Sequence, residues 1–138
     1  MKNYEILEHT ADFCIKVKAD TLQGLFAAAA EGLMNNIFNE IKYEKDIEKA
    51  VLSVEGESPE DVLVKFLNEL LYIFYIKKLL PKNAFCFINL DKNKLVAEAD
   101  FVKIKEFSAN FEVKAITYGN IKIECDNNLY ETTVIADV

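Results

Sequence analysis

Between positions 58 and 78 the chain carries a helix too apolar to stand at a surface, so the rest of the fold must cover it. Ser58 offers a side-chain cap, Pro59 takes the first helical position, and Glu60 and Asp61 suit the positive end of the helix dipole. Val62, Leu63, Phe66, Leu67, Leu70, Leu71, Ile73 and Phe74 then spread over a broad face, leaving Lys65, Asn68 and Glu69 as the wet side. Lys77-Lys78 complements the negative end, and Pro81 stops any continuation. This is the expected central core helix.

A second helix is expected after the cap at Asp20-Thr21, with Leu22, Leu25, Phe26, Ala29, Leu33 and Ile37 on one buried face. The four alanines at 27–30 let it sit close to its support. Strands are expected at 4–7, 13–17 and 51–55, the second from the two-residue alternation of Phe13, Ile15 and Val17 with Cys14, Lys16 and Lys18. After Pro81 five more follow, at 84–90, 95–102, 111–118, 121–125 and 129–135. Turn chemistry separates them at Asp91-Lys92-Asn93-Lys94, Gly119-Asn120 and Asp126-Asn127-Asn128. Gly119-Asn120 has glycine first, as a type II′ hairpin wants. The charged stretch 41–49 reads as an exposed linker or edge segment. The expected class is α+β: a single domain over 1–138, with a mixed or antiparallel sheet carrying two helices on one face.

Composition narrows the function classes. A net charge of -7 disfavours gripping nucleic acid by its phosphates. Three widely spaced cysteines (Cys14, Cys86, Cys125) suggest a reduced intracellular protein without disulfides or a zinc knuckle. The N-terminus lacks an apolar signal core, and the longest apolar run, 70–76, is too short to cross a bilayer. A soluble, cytoplasmic protein is expected. Four glycines without a G-x-G-x-x-G or P-loop pattern argue against nucleotide binding by those devices. A single histidine excludes an H-E-x-x-H zinc site. No serine has a nucleophile-elbow context, and Cys14 with His9 reads as a structural cysteine rather than a nucleophile pair.

Three places remain where chemistry could sit. His9-Thr10-Ala11-Asp12 holds the sole histidine and puts Asp12 at the mouth of a strand, as a solvated acid or as a ligand. At the other end Asp137 and the Val138 carboxylate stand side by side just past a strand. Two adjacent anions repel, and a cation would relieve that; hard oxygen donors favour Ca²⁺ or Mg²⁺. The third is Lys114, expected to share a strand face with Glu112, Ile116 and Tyr118, where it could meet a phosphate or a partner carboxylate, or simply pair with a neighbouring acid.

Taken together, His9-Thr10-Ala11-Asp12, Lys114-Ala115-Ile116-Thr117-Tyr118 and Asp137-Val138 resemble the archease family, and Leu67-Asn68-Glu69-Leu70-Leu71-Tyr72 resembles its central helix. The resemblance spans essentially the whole chain in order. It implies a non-catalytic accessory protein of the tRNA-splicing RNA ligase, promoting ligase guanylylation and multiple turnover and binding a divalent metal, typically calcium. It places the metal on Asp12, Asp137 and the Val138 carboxylate and a partner-facing role on Lys114, with His9 orienting the opening turn. No direct contact with nucleic acid or membrane is implied. Gly119 stands where many members carry histidine. A metal-dependent phosphoesterase and a metal-free interaction domain are the rival readings. If both late turns are tight hairpins, Lys114 lies more than ~20 Å from the acids, at ~3.3 Å per strand residue. Lysine and metal site would then be two patches, and the opening motif half of a site that closes when the termini meet.

Overall fold

The computed structural model describes residues 2–8, 12–81, 87–109, 112–119 and 121–138; at 2, 6–8, 12, 39, 45–46 and 87–89 it describes the backbone alone. Two antiparallel sheets and two helices follow in the order β1 (Lys2–Glu8), β2 (Asp12–Ala19), α1 (Leu22–Ile37), β3 (Phe38–Glu55), α2 (Pro59–Tyr72), β4 (Leu79–Pro81), β5 (Phe87–Asp91), β6 (Lys94–Ala109), β7 (Ala115–Ile116), β8 (Glu124–Asp126) and β9 (Leu129–Asp137). The first sheet runs β1-β2-β9-β7 with β8 also on β9; the second runs β3-β6-β4 with β5 also on β6. The α+β expectation holds, with one correction. The strands divide into two sheets, and each helix touches both: α1 packs on β1, β2 and β9 and reaches β3 and β5, while α2 meets β3, β6 and β7.

Both helices start where the caps predict. The Thr21 hydroxyl accepts from the Gly24 amide, and the Ser58 hydroxyl accepts from Asp61 with Pro59 in the first turn. Because α1 is covered on nearly all sides, its buried set includes all four alanines together with Leu25, Phe26, Leu33 and Ile37. Gly32 marks the closest approach. A methyl there would lie 2.9 Å from the Tyr4 ring and 3.2 Å from an Ile15 methyl. Gly32→Ala should therefore lower stability by about 1–2 kcal/mol, the overpacking outweighing the better helix propensity of alanine. Chemical denaturation checks this, and a stabilised variant would contradict the close packing.

α2 ends differently from the expectation of one α-helix to Lys78. From Ile73 to Lys77 the winding widens to a π-helical turn, closed by Lys78 in the left-handed conformation at φ 56°. Of the two expectations for the charged stretch 41–49, linker or edge segment, the second holds. The stretch belongs to the long edge strand β3, consistent with its high exposure. The turns Lys92-Asn93 and Asn127-Asn128 have positive φ at both central residues, the type I′ pattern whose twist suits hairpins.

Candidate functional site

The register of β2 on β9 follows from burial. Ile15 opposes Val134 and Val17 opposes Thr132, all four buried, while Phe13 opposes Ala136. A one-residue slip would carry Thr133 and Ile135 to the core side, so the apolar pattern fixes the pairing. That pairing sets Asp12, the first residue of β2, directly opposite Asp137, the last of β9. Residues so opposed in an antiparallel ladder have Cα atoms only about 4.5–5.5 Å apart. On the other flank of β9, Ala115 is the partner of Asp137. Asp137 and the following Val138 are exposed. Thus the start of β2 and the end of β9 meet on one rung, as the archease resemblance implied. His9, Thr10 and Ala11 lie outside the described residues.

Lys114 departs from expectation. Its amide donates to the Asp137 carbonyl at 2.7 Å, so lysine and acid are backbone neighbours rather than more than ~20 Å apart. The hairpin assumed at Gly119-Asn120 is contradicted by the described residues on either side; Asn120 itself lies outside them. Gly119 lacks the positive φ of a type II′ turn, and the chain does not fold back there. Instead it runs on along the same flank of β9: Ala115–Ile116 pairs at Asp137–Ala136, and Glu124–Asp126 pairs at Glu131–Leu129. Between those pairings seven positions of this flank, 117–123, stand against the four of 132–135, and the Ile121 amide donates to the Tyr118 carbonyl at 3.2 Å. Among the described residues 112–118 only Ala115–Ile116 is regular strand, so two-residue alternation fails there. Val113 and Ile116 are both buried, and Ile116 does not share the exposed side of Lys114 and Tyr118.

What holds this irregular segment is a line of side chains on α2 and its π-helical turn. Asp61, Asn68 and Tyr75 follow at seven-residue steps, two helical turns apart, and so lie along one stripe. Asn68 acts as a surrogate strand. Its amide nitrogen donates to the Ile116 carbonyl at 3.1 Å, and its carbonyl oxygen accepts from the Ile116 amide at 2.8 Å. The Tyr75 hydroxyl oxygen accepts from the Val113 amide at 3.1 Å, and the Tyr118 hydroxyl donates to Asp61 at 2.8 Å. Glu60 accepts from the Ile123 amide at 3.0 Å. Reading Asn68 as a wet-side residue missed this. The available signal was the recurrence of hydrogen-bonding side chains every seven positions on an otherwise apolar helix.

The network shifts two acidities. The Glu57 amide, the Tyr118 hydroxyl and Lys65 hold the Asp61 carboxyl below its ordinary value, and the bond to Asp61 raises the Tyr118 phenol. Burial likewise pushes the Tyr75 phenol up. Because the folded value of Asp61 lies below its unfolded one, its contribution to stability is complete above the unfolded carboxylate range. It is lost as pH falls through the lowered folded value. Asp61→Asn should therefore show a shallower fall of Tm between about pH 5 and pH 2 than the parent chain; parallel curves would contradict the coupling.

Asp12 and Asp137 would bring carboxylate oxygens to this end of the sheet, and such donors suit a hard divalent cation. Among the described residues no three His, Cys, Asp or Glu side chains gather as a ligand set. A cation here would rest on Asp12, Asp137 and the Val138 carboxylate acting together. No helix among the described residues is long and apolar enough to cross a membrane. Cys14 is buried in β2, in keeping with a structural role.

Known proteins resemble this chain in sequence and in architecture. The chain matches the Archease protein family (MTH1598/TM1083) over residues 4–138. The archease of Pyrococcus furiosus is 38% identical over 128 residues, covering 90% of this chain and 89% of its own. That of Pyrococcus abyssi is 40% identical over 128 residues with the same coverage. The crystal structure of an archease from Thermotoga maritima, described as a possible chaperone, superposes with a TM-score of 0.69 at 24% identity, over 97% of this chain and 96% of that one. The solution structure of protein 1598 from Methanobacterium thermoautotrophicum also gives 0.69, at 19% identity and 98% of each chain. At those identities the two structures speak for the fold alone, and it is the sequence match across nearly the whole length that decides the matter: the chain belongs to the archease family.

Proposed function

We propose that this chain is a non-catalytic activator of the tRNA-splicing RNA ligase, promoting guanylylation of the ligase and its multiple turnover in exon joining. In this reading Asp12, Asp137 and the Val138 carboxylate hold a divalent cation, Ca²⁺ first and Mg²⁺ as the substitute. The observation that carries it is the Asp12–Asp137 rung with Lys114 bonded to the same aspartate. One end of one sheet then carries Asp12, Asp137 and Lys114, the residues to which the archease resemblance gives these roles. When bound, the cation offsets repulsion among the carboxylates and supplies local positive charge. The chain's own contribution is positional. β2 and β9 bring the acids together, α2 pins the 113–118 segment, and the exposed Lys114 is free to meet a phosphate or carboxylate of the partner.

The test is ligation of RNA halves bearing a 2′,3′-cyclic phosphate by the partner ligase. The parent chain should convert it to multiple turnover, and Asp12→Ala should return it to the level without activator. No stimulation by the parent chain would overturn the proposal. Turnover of phosphoesters by this chain alone would favour an enzyme instead.

A further inference from the structure

The feature that the site leaves unexplained is the outer edge of β3. Among the described residues this strand pairs only with β6, so no described strand takes up the backbone donors and acceptors of its other flank. The two halves of that flank differ. Between Tyr43 and Ile47 the register on β6 slips, leaving a bulge, a device that discourages strand addition. From Ile47 to Glu55 the ladder is unbroken, opposite Val102 to Lys94, and contains no proline. Free edges of this kind are ordinarily covered, charged or twisted away. Here the solvent face of the regular half carries Ile47 and Val51, exposed by 51% and 58%.

We propose that this half of β3 pairs antiparallel with the same segment of a second copy, about a two-fold axis at Val51, joining two four-stranded sheets into one. The sequence is self-complementary in that register. Ile47 falls opposite the copy's Glu55, Glu48 opposite Val54, Lys49 opposite Ser53, Ala50 opposite Leu52, and Val51 opposite itself. No like charges meet, and Lys49 gains the copy's Glu55 as a diagonal neighbour on the same face. Odd residues pair with odd and even with even, so both helix layers lie on one side. There Ala50 and Leu52 line a groove with Glu69, Ile73 and Lys77 of the helix. The added strand would lay its own Ala50 and Leu52 over that groove. Such an interface is isologous and closed, so it stops at two copies instead of growing into fibres.

Sedimentation of the full chain against concentration tests this through two lysine substitutions on the same solvent face. The parent chain should approach twice its 15.7 kDa mass as concentration rises. Val51→Lys sets two lysines against each other on the axis and should halve that mass, with a melting temperature equal to that of the parent at a dilution where the parent is monomeric as the folding control. Ile47→Lys sets each lysine opposite the copy's Glu55 and should leave the dimer intact or tighter. A parent chain that stays monomeric at its highest soluble concentration, a dimer that survives Val51→Lys, or a dimer that Ile47→Lys also abolishes would each overturn the proposal.

Discussion

Replacing Asn68 with leucine is expected to cost about 2–4 kcal/mol, because it strands both backbone groups of Ile116 in a buried place. Leucine is close in size and suits a helix, so neither a cavity nor lost propensity confuses the reading. What disappears is the one partner that the amide and carbonyl of Ile116 have on the flank facing α2. An unpaired buried donor or acceptor carries a desolvation penalty of about 1–3 kcal/mol, and two are exposed at once. Against a total stability of about 5–15 kcal/mol this is a large fraction. Asn68→Asp should fall between the parent and leucine, since a carboxylate still accepts from the Ile116 amide but cannot donate to its carbonyl. Urea unfolding reads the effect as a lower midpoint at constant slope. A leucine variant as stable as the parent would mean that Ile116 finds other partners and that α2 does not pin this edge.

The second large effect concerns the acid rung. Asp137→Asn removes one of the carboxylates on which a cation between the termini would depend, and keeps shape and strand pairing. Even an outer-sphere partner of a metal ligand is worth about 10- to 100-fold in affinity, so loss of a direct ligand should weaken Ca²⁺ binding by at least ~100-fold. Calorimetric titration measures it. Asp12→Asn should behave alike, because the two residues share a rung. Equal affinity in parent and variants would remove both acids from the ligand set.

Much of this was legible because it depends on local pattern. The caps at Thr21 and Ser58, the apolar face of α2 and the positions of the turns at 91–94 and 126–128 follow from residue type and local periodicity, whereas the meeting of Asp12 with Asp137 was implied by the archease resemblance. What failed was long-range. The 111–118 stretch alternates like a strand, yet its inner flank is satisfied by Asn68 and Tyr75, helix side chains some forty residues away that no periodicity within the stretch reveals. Gly119 invited a type II′ hairpin, but a turn that only takes up surplus residues needs no reversal of direction. From that single assumption came the misplaced Lys114. The division into two sheets was likewise invisible, since strand spacing in sequence does not say which strands share a ladder. The π-helical turn has no local signature; it sets Tyr75 where the Val113 amide needs an acceptor.

In the proposed function the acids and Lys114 make one site at one end of the β2–β9 sheet. Manganese offered in place of calcium makes this directly observable, since a paramagnetic ion broadens the amide signals nearest to it. The predicted result is selective loss of the signals of Asp12, Phe13, Lys114, Ala115 and Ala136 to Val138, with β3 and β6 untouched. Broadening centred instead on the other acidic group of this sheet, around Glu124, Asp126 and Glu131, or loss of the Asp12 and Asp137 signals while Lys114 stays sharp, would contradict it.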